Sequence, residues 1–135
     1  MKEYGSSLAN NTSVTELHLV STRSNDSIAT ALAESLKVNT TLKVLNLETN
    51  YISITGIKSL LEALNSNADS SLEELKIENQ RGNIGPGGEQ AIADLLDQNT
   101  SLRKFSYLFK FPGPRQKSIA AIMRNCDVTR QKRKK

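Results

Sequence analysis

The sequence predicts an α/β fold, a leucine-rich repeat right-handed solenoid with a parallel sheet inside, helices outside and a C-terminal capping helix. Two observations carry this. The motif LxxLxL recurs as VTELHL at 14–19, LKVLNL at 42–47, LEELKI at 72–77 and LRKFSY at 102–107, and its leading residues Val14, Leu42, Leu72 and Leu102 fall 28, 30 and 30 positions apart. Between the copies the apolar period lengthens from two residues to that of a helix. Self-similar units of this length cannot bury their apolar faces alone and do so by stacking.

Each motif ends on an apolar pair: Leu17 and Leu19, Leu45 and Leu47, Leu75 and Ile77, Phe105 and Tyr107. Alternation puts these pairs on the inner face of short strands and turns His18, Asn46, Lys76 and Ser106 outward, as a column on the solvent side of the sheet. Three helices follow from one-sided apolar sets: Ile28, Leu32, Ala33 and Leu36, then Ile57, Leu60, Leu61 and Leu64, then Ile92, Leu95 and Leu96. Ser24, Asn25 and Asp26 signal the first start, Thr55 the second and Pro86 the third. Asn39, Asn67 and Asn99 signal the ends, where a left-handed residue is expected. Parallel strand-helix-strand crossovers are right-handed, which places the helices on the outside of the stack.

The last unit departs from this pattern. Phe105, Tyr107, Phe109 and Phe111 alternate as a longer strand would, Pro112, Gly113 and Pro114 end it, and Ser118 can cap a final helix with Ile119, Ile122 and Met123 on one face. Such a terminal unit closes a solenoid core. MKEYGSSLA is too short for a full unit before Val14, so residues 1–10 read as a flank foreign to the domain, with an upstream part of the natural protein missing. The domain is then 11–126, followed by a basic tail at 127–135.

The composition is that of a single soluble domain, 37% apolar and 24% charged over 135 residues. No apolar run is long enough for a membrane span, and MKEYGSSLANN has no signal-peptide core, so a cytoplasmic monomer is expected. Asn10, Asn11, Asn25, Asn39 and Asn99 begin NxS or NxT triplets, and without a signal peptide a helix-end role accounts for them better than glycosylation. The single cysteine, Cys126, reads as a half-buried residue of the last helix. Charge is uneven: residues 1–102 carry 7 basic and 13 acidic side chains, whereas 103–135 carry 11 basic and 1 acidic. A basic end of this kind attracts acidic partners or simply keeps a solvated tail soluble.

Nothing nominates an active site. GNIGPGG at 82–88 lacks the lysine and hydroxyl of a phosphate loop and reads as a strand-to-helix turn. His18, the only histidine, has neither nucleophile nor carboxylate dictated beside it for catalysis. No enzyme activity, cofactor or metal is expected, and binding by an extended rigid surface is. The outward positions Glu16, Asn46, Glu74 and Glu78 do not make the basic concave face that a nucleic acid would need.

Particular residues then say more than the repeat. STRSNDSIATALAESLKVNTTLKVLNLETNYIS at 21–53, YLFKFPGPR at 107–115 and IMRNCDVTRQKRK at 122–134 resemble the C-terminal leucine-rich domain of tropomodulin and its relative leiomodin. The resemblance implies a module that caps the pointed, slow-growing end of actin filaments. In that family an N-terminal region, to which nothing here corresponds, binds tropomyosin and a first actin site, and the leucine-rich domain supplies a tropomyosin-independent second one. A leiomodin-like nucleator fragment and a generic protein-binding solenoid are the alternatives. Neither nucleic acid nor membrane is an expected partner. The candidate contacts lie in the strand-to-helix turns: Arg23, Asn25 and Asp26; Asn50, Tyr51 and Ser53; Arg81 and Asn83; Lys110, Phe111 and Arg115. Arg124, Arg130 and the terminal lysines add salt-sensitive attraction. Arg115 and Phe111 have the strongest case, since an aromatic paired with an arginine is a typical anchor.

Overall fold

A computed structural model of the chain describes residues 8–82 and 84–134. Each motif copy folds as a three-residue strand: β1 Glu16–His18, β2 Val44–Asn46, β3 Glu74–Lys76 and β4 Lys104–Ser106. They form one parallel sheet in sequence order, with Leu17, Leu45, Leu75 and Phe105 in register. Helices α1 Asp26–Leu36, α2 Ile54–Ser66, α3 Gly85–Gln98 and α4 Pro112–Lys134 follow the strands in turn and pack side by side, α1 on α2, α2 on α3 and α3 on α4. The core is an aliphatic seam between the two layers, in which Leu45, Leu75, Leu60, Ile57, Ile92 and Leu96 have no exposed surface. Cys126 lies half-buried in α4, as expected.

The helix ends differ from expectation. Asn67 and Asn99 sit in extended conformations, and none of Asn39, Asn67 and Asn99 is left-handed. Their side chains instead fix the turn that follows each helix and reach toward neighbouring chain segments. The Asn39 amide oxygen accepts from the N–H groups of Thr41 and Leu42 at 2.9 and 2.8 Å, and its Nδ2 donates to the Leu8 carbonyl at 2.6 Å. Asn99 accepts from Ser101 and Leu102, while Asn67 donates back to Leu36 and Asn39. An asparagine carries both donor and acceptor, so each one closes its own turn, and Asn39 and Asn67 also bond to the unit before.

The left-handed residues lie on the other side of the sheet. Ser21, Thr49 and Asn79, recurring 28 and 30 positions apart, have φ of 55°, 58° and 63°, and Arg23 adds a second left-handed residue to the first unit. Each of the recurring three turns the chain out of its strand. A β-branched threonine is costly in that region, and Thr49 is held there by its N–H donating to the Glu78 carbonyl at 3.0 Å.

Three further differences concern starts and faces. Ser53, not Thr55, caps α2, its hydroxyl accepting from the Thr55 N–H. Pro112 and Pro114 do not end a long strand; they open α4, where the first turn tolerates residues without an N–H. Ser118 is consequently a buried residue inside that helix, and β4 is as short as the other strands. The inward face of α4 is Ser118, Ala121 and Asn125 with Ile122 partly covered, which leaves Ile119 and Met123 48% and 59% exposed. At the other end, Leu8 is buried in the core and its carbonyl receives Asn39, so the domain begins before residue 11, while residues 1–7 of the stretch read as a foreign flank lie outside the described residues. The boundary drawn after residue 126 falls within α4.

Helices α1 and α2 pack tightly at Gly56. A Cβ there would lie 2.7 Å from Asp26 Oδ1 and from Ile52 Cγ2, and 3.0 Å from Ala29 Cβ. Asp26 cannot yield, because the same oxygen accepts the Ser53 N–H at 2.7 Å. Gly56→Ala is expected to lower stability by ~1–2 kcal/mol in urea unfolding, overpacking outweighing the helix propensity gained.

Candidate functional site

The strand-to-helix turns lie along one edge of the stack, tied turn to turn by the backbone. Tyr51 N–H donates to the Ser24 carbonyl at 2.8 Å and Arg81 N–H to the Asn50 carbonyl at 3.0 Å. Asn25 and Tyr51 form a parallel bridge, and the Arg81 guanidinium stands 5.5 Å from the centre of the Tyr51 ring. That places Asn25, Tyr51 and Arg81 in one exposed row across three units. Arg23 is exposed beside it with φ 61°. A cation over an aromatic face presents charge and apolar area together, the combination found at interface anchors.

Other candidates build the edge. Asn25 caps α1, accepting from Ser27 and Ile28. Asp26 and Ser53 bind each other, the carboxylate receiving both the N–H and the hydroxyl of Ser53, which fixes the start of α2 against that of α1. Asn50 is 1% exposed. Its oxygen accepts from Thr22 and Ser24 N–H at 3.1 and 2.9 Å, and its nitrogen donates to the Leu19 and Leu47 carbonyls. Asn50 therefore shapes the edge from within and has no surface to offer a partner. Gln80 repeats the device one unit on, accepting from Ile52 N–H and donating to Leu47 and Ile77.

In the fourth unit a carboxylate takes over. Glu89 of α3 is fully buried and receives the Tyr107 hydroxyl at 2.8 Å, Lys110 N–H at 3.0 Å and Phe111 N–H at 3.1 Å. This pins the loop that carries Lys110, exposed, and Phe111, half-buried, into α4. Burial foremost, with Glu89 adding to it, raises the Tyr107 hydroxyl above its ordinary 10.0. The folded state thus keeps a proton that the unfolded state releases, so this stabilisation is full below pH 10 and is lost as pH rises beyond it. Tyr107→Phe should abolish that alkaline fall in urea-unfolding free energy while lowering stability at pH 7 by about 1 kcal/mol for the lost hydrogen bond.

Arg115 is exposed on the first turns of α4 beside Leu108 and Phe109. Arg124 stands apart, at the other end of α3, where its guanidinium donates to the carbonyls of Asp97 and Asn99 at 3.0 and 2.6 Å. Its charge neutralises a helix C-terminus. Lys117 is similarly engaged with Asp94 at 2.7 Å, a contact that holds Asp94 below and Lys117 above their usual ranges. Asn83 and the side chain of Arg130 lie outside the described residues.

The sheet's outer column is less open than expected, since Asn46 is only 8% exposed and bonds the Glu48 N–H. Glu16 pairs with His18, and Glu74 lies 3.5 and 3.6 Å from Lys76 and Lys104. Among the described residues no cluster of histidine, cysteine and carboxylates could hold a metal ion.

Residues 1–128 match the family described as the TMOD/LMOD leucine-rich domain. The chain is 42% identical to tropomodulin-4 of Homo sapiens over 125 residues, which cover 93% of this chain and 36% of that protein. It is 39% identical to leiomodin-2 of Homo sapiens over 133 residues, 98% of this chain and 24% of that protein. Among solved structures, one of leiomodin-1 actin-binding site 2 superposes with a TM-score of 0.92 at 40% identity, covering 98% of this chain and 75% of that one.

Proposed function

This chain belongs to the tropomodulin and leiomodin family of leucine-rich domains, and from that membership we propose that it is a cytoskeletal, non-enzymatic actin-binding module that caps the pointed end of actin filaments. It acts as the tropomyosin-independent part of a tropomodulin-like protein. The observation that carries the reading is the likeness, over nearly the whole chain, to a structure named for the second actin-binding site of leiomodin-1.

The geometry supplies a mechanism. A cap holds terminal subunits while blocking the next, which suits a rigid edge with several separate contacts. Here the row Asn25, Tyr51, Arg81 and the loop at Lys110 and Phe111 are each anchored by buried polar side chains, so little ordering entropy is lost on binding. The basic C-terminal quarter attracts an acidic surface and speeds encounter.

The test is elongation at the pointed end of filaments blocked at the other end, without tropomyosin. The fragment should slow it in a saturable way, more weakly as salt rises. Arg115→Glu should raise the half-inhibitory concentration by about tenfold with an unchanged melting temperature, a loss of ~1.4 kcal/mol. No inhibition at saturation would overturn the capping reading. A shortened lag in spontaneous actin assembly would favour the leiomodin-like alternative, nucleation.

A further inference from the structure

Along the sheet, alternate residues bond to alternate neighbours. Leu19 N–H donates to Asn46 in the next unit, Leu47 to Lys76 and Ile77 to Ser106. The equivalent residue of the last strand is Tyr107. Because Lys104 and Ser106 bond back to β3, the N–H and C=O groups of Phe105 and Tyr107 project to the side of β4 where, among the described residues, no further strand stands. Helix α4 occupies only the first part of that side, where Asn125 donates to the Leu102 carbonyl at 2.9 Å and the Cys126 thiol lies 3.5 Å from that of Arg103.

Beyond those contacts the core is open. A groove of about 460 Å³ runs between β4 and α4, floored by Phe105, Tyr107 and Phe109 and walled by Ile119, Ile122 and Met123. Leu108 beside it is 75% exposed. Aromatic rings packed edge-on fill the floor, Tyr107 and Phe109 with centroids 4.8 Å apart. Its rim carries the exposed Arg115, and exposed Lys104 lies on β4 itself, next to Phe105.

We propose that this groove is a docking site for an extended, acidic and apolar segment of a partner protein, which adds to β4 as a parallel fifth strand. The sheet itself states the required chemistry. In the existing register Glu74 stands opposite Lys104, at 3.6 Å, and Leu75 opposite Phe105. On the vacant side the same arrangement calls for an acidic residue across from Lys104, followed by an apolar one across from Phe105 that enters the groove against Ile122 and Met123. The backbone of Phe105 and Tyr107 supplies the affinity, the groove with Arg115 and Lys104 the selectivity.

The probe is a fluorescent peptide of residues 71–79, SLEELKIEN, titrated with the full chain and compared with its charge-reversed form SLKKLEIKN. The acidic peptide should bind in a saturable way, at least tenfold more tightly than the reversed one, and should slow hydrogen exchange at the Tyr107 amide. Met123→Glu and Ile119→Glu, both surface changes, should each weaken it tenfold or more without altering the melting temperature. Equal affinity for the two peptides, binding unaffected by both substitutions, or unchanged exchange at Tyr107 would overturn the proposal. A chain dimer in sedimentation that Met123→Glu dissociates would assign the groove to a second copy instead. Loss of actin binding in Met123→Glu, with no peptide bound by the unsubstituted chain, would assign it to actin.

Discussion

Glu89→Ala is expected to cost ~3–5 kcal/mol and to lower the melting temperature by roughly 10 °C or more. The carboxylate is fully buried between α3 and the loop entering α4, and three donors converge on it. Removing it leaves two backbone N–H groups and a phenol without their acceptor, and each left unsatisfied costs about 1–3 kcal/mol. The cavity adds to this. Glu89→Gln, which retains one acceptor oxygen but turns an NH₂ toward the same donors, should fall between Ala and the unsubstituted chain. Circular dichroism melts of the three proteins check the order. If the loop is what Glu89 positions, the pointed-end activity of Glu89→Gln, measured well below its melting temperature, should fall further than that of an equally destabilised core variant such as Leu61→Val.

The device at Glu89 was readable in the sequence, though not by apolar periodicity alone. Glu89, Ile92, Ala93 and Leu96 share the inward face of α3, so an acid stands where the pattern calls for a hydrophobe. An ionisable group in such a place must find partners from another element, and that is the signal. By contrast, the identity of its partners depends on how the fourth loop folds. Phe105, Tyr107, Phe109 and Phe111 alternate like a strand, yet only Lys104–Ser106 is one. Pairing on one side cannot extend a strand whose neighbour ends at Lys76, and the two N–H groups drawn to Glu89 take the chain elsewhere.

The same limit explains the asparagines. Their spacing marked the helix ends, but an asparagine there acts either by a left-handed backbone or by side-chain bonds that fix the turn after it, and sequence does not separate the two. Only the stacked neighbour decides, since Asn39 reaches back to Leu8 and Asn67 to Leu36. Of the candidate surface, the turns that converge on one edge were legible because the first two units place seven residues between strand and helix start and the third places eight. Which residue in a turn faces out was not. Tyr51 is exposed and its neighbour Asn50 is buried, although both are polar enough for either place.

Asn50→Ala tests that distinction and should be nearly as damaging as Glu89→Ala, at ~3 kcal/mol. The amide satisfies the turns of two units at once: it receives Thr22 and Ser24 N–H from the first and donates to Leu19 of the first and Leu47 of its own. Alanine removes both acceptor and donor with little room for water, since the site is 1% exposed. The damage should be local before it is global. Hydrogen exchange at Thr22 and Ser24 should accelerate strongly, while exchange at Leu102, whose N–H is held by Asn99, should change only as much as global stability does. Actin capping should weaken although no residue facing solvent has changed, because Arg23 and Asn25 flank Ser24 and lose the bond that holds their turn. Tyr51→Ala offers the contrast: it removes exposed surface and the stacking of Arg81, so it should weaken capping with a melting temperature within a few degrees of the unsubstituted chain. Should Asn50→Ala unfold no more readily than Tyr51→Ala, the buried amide would not be what holds this edge.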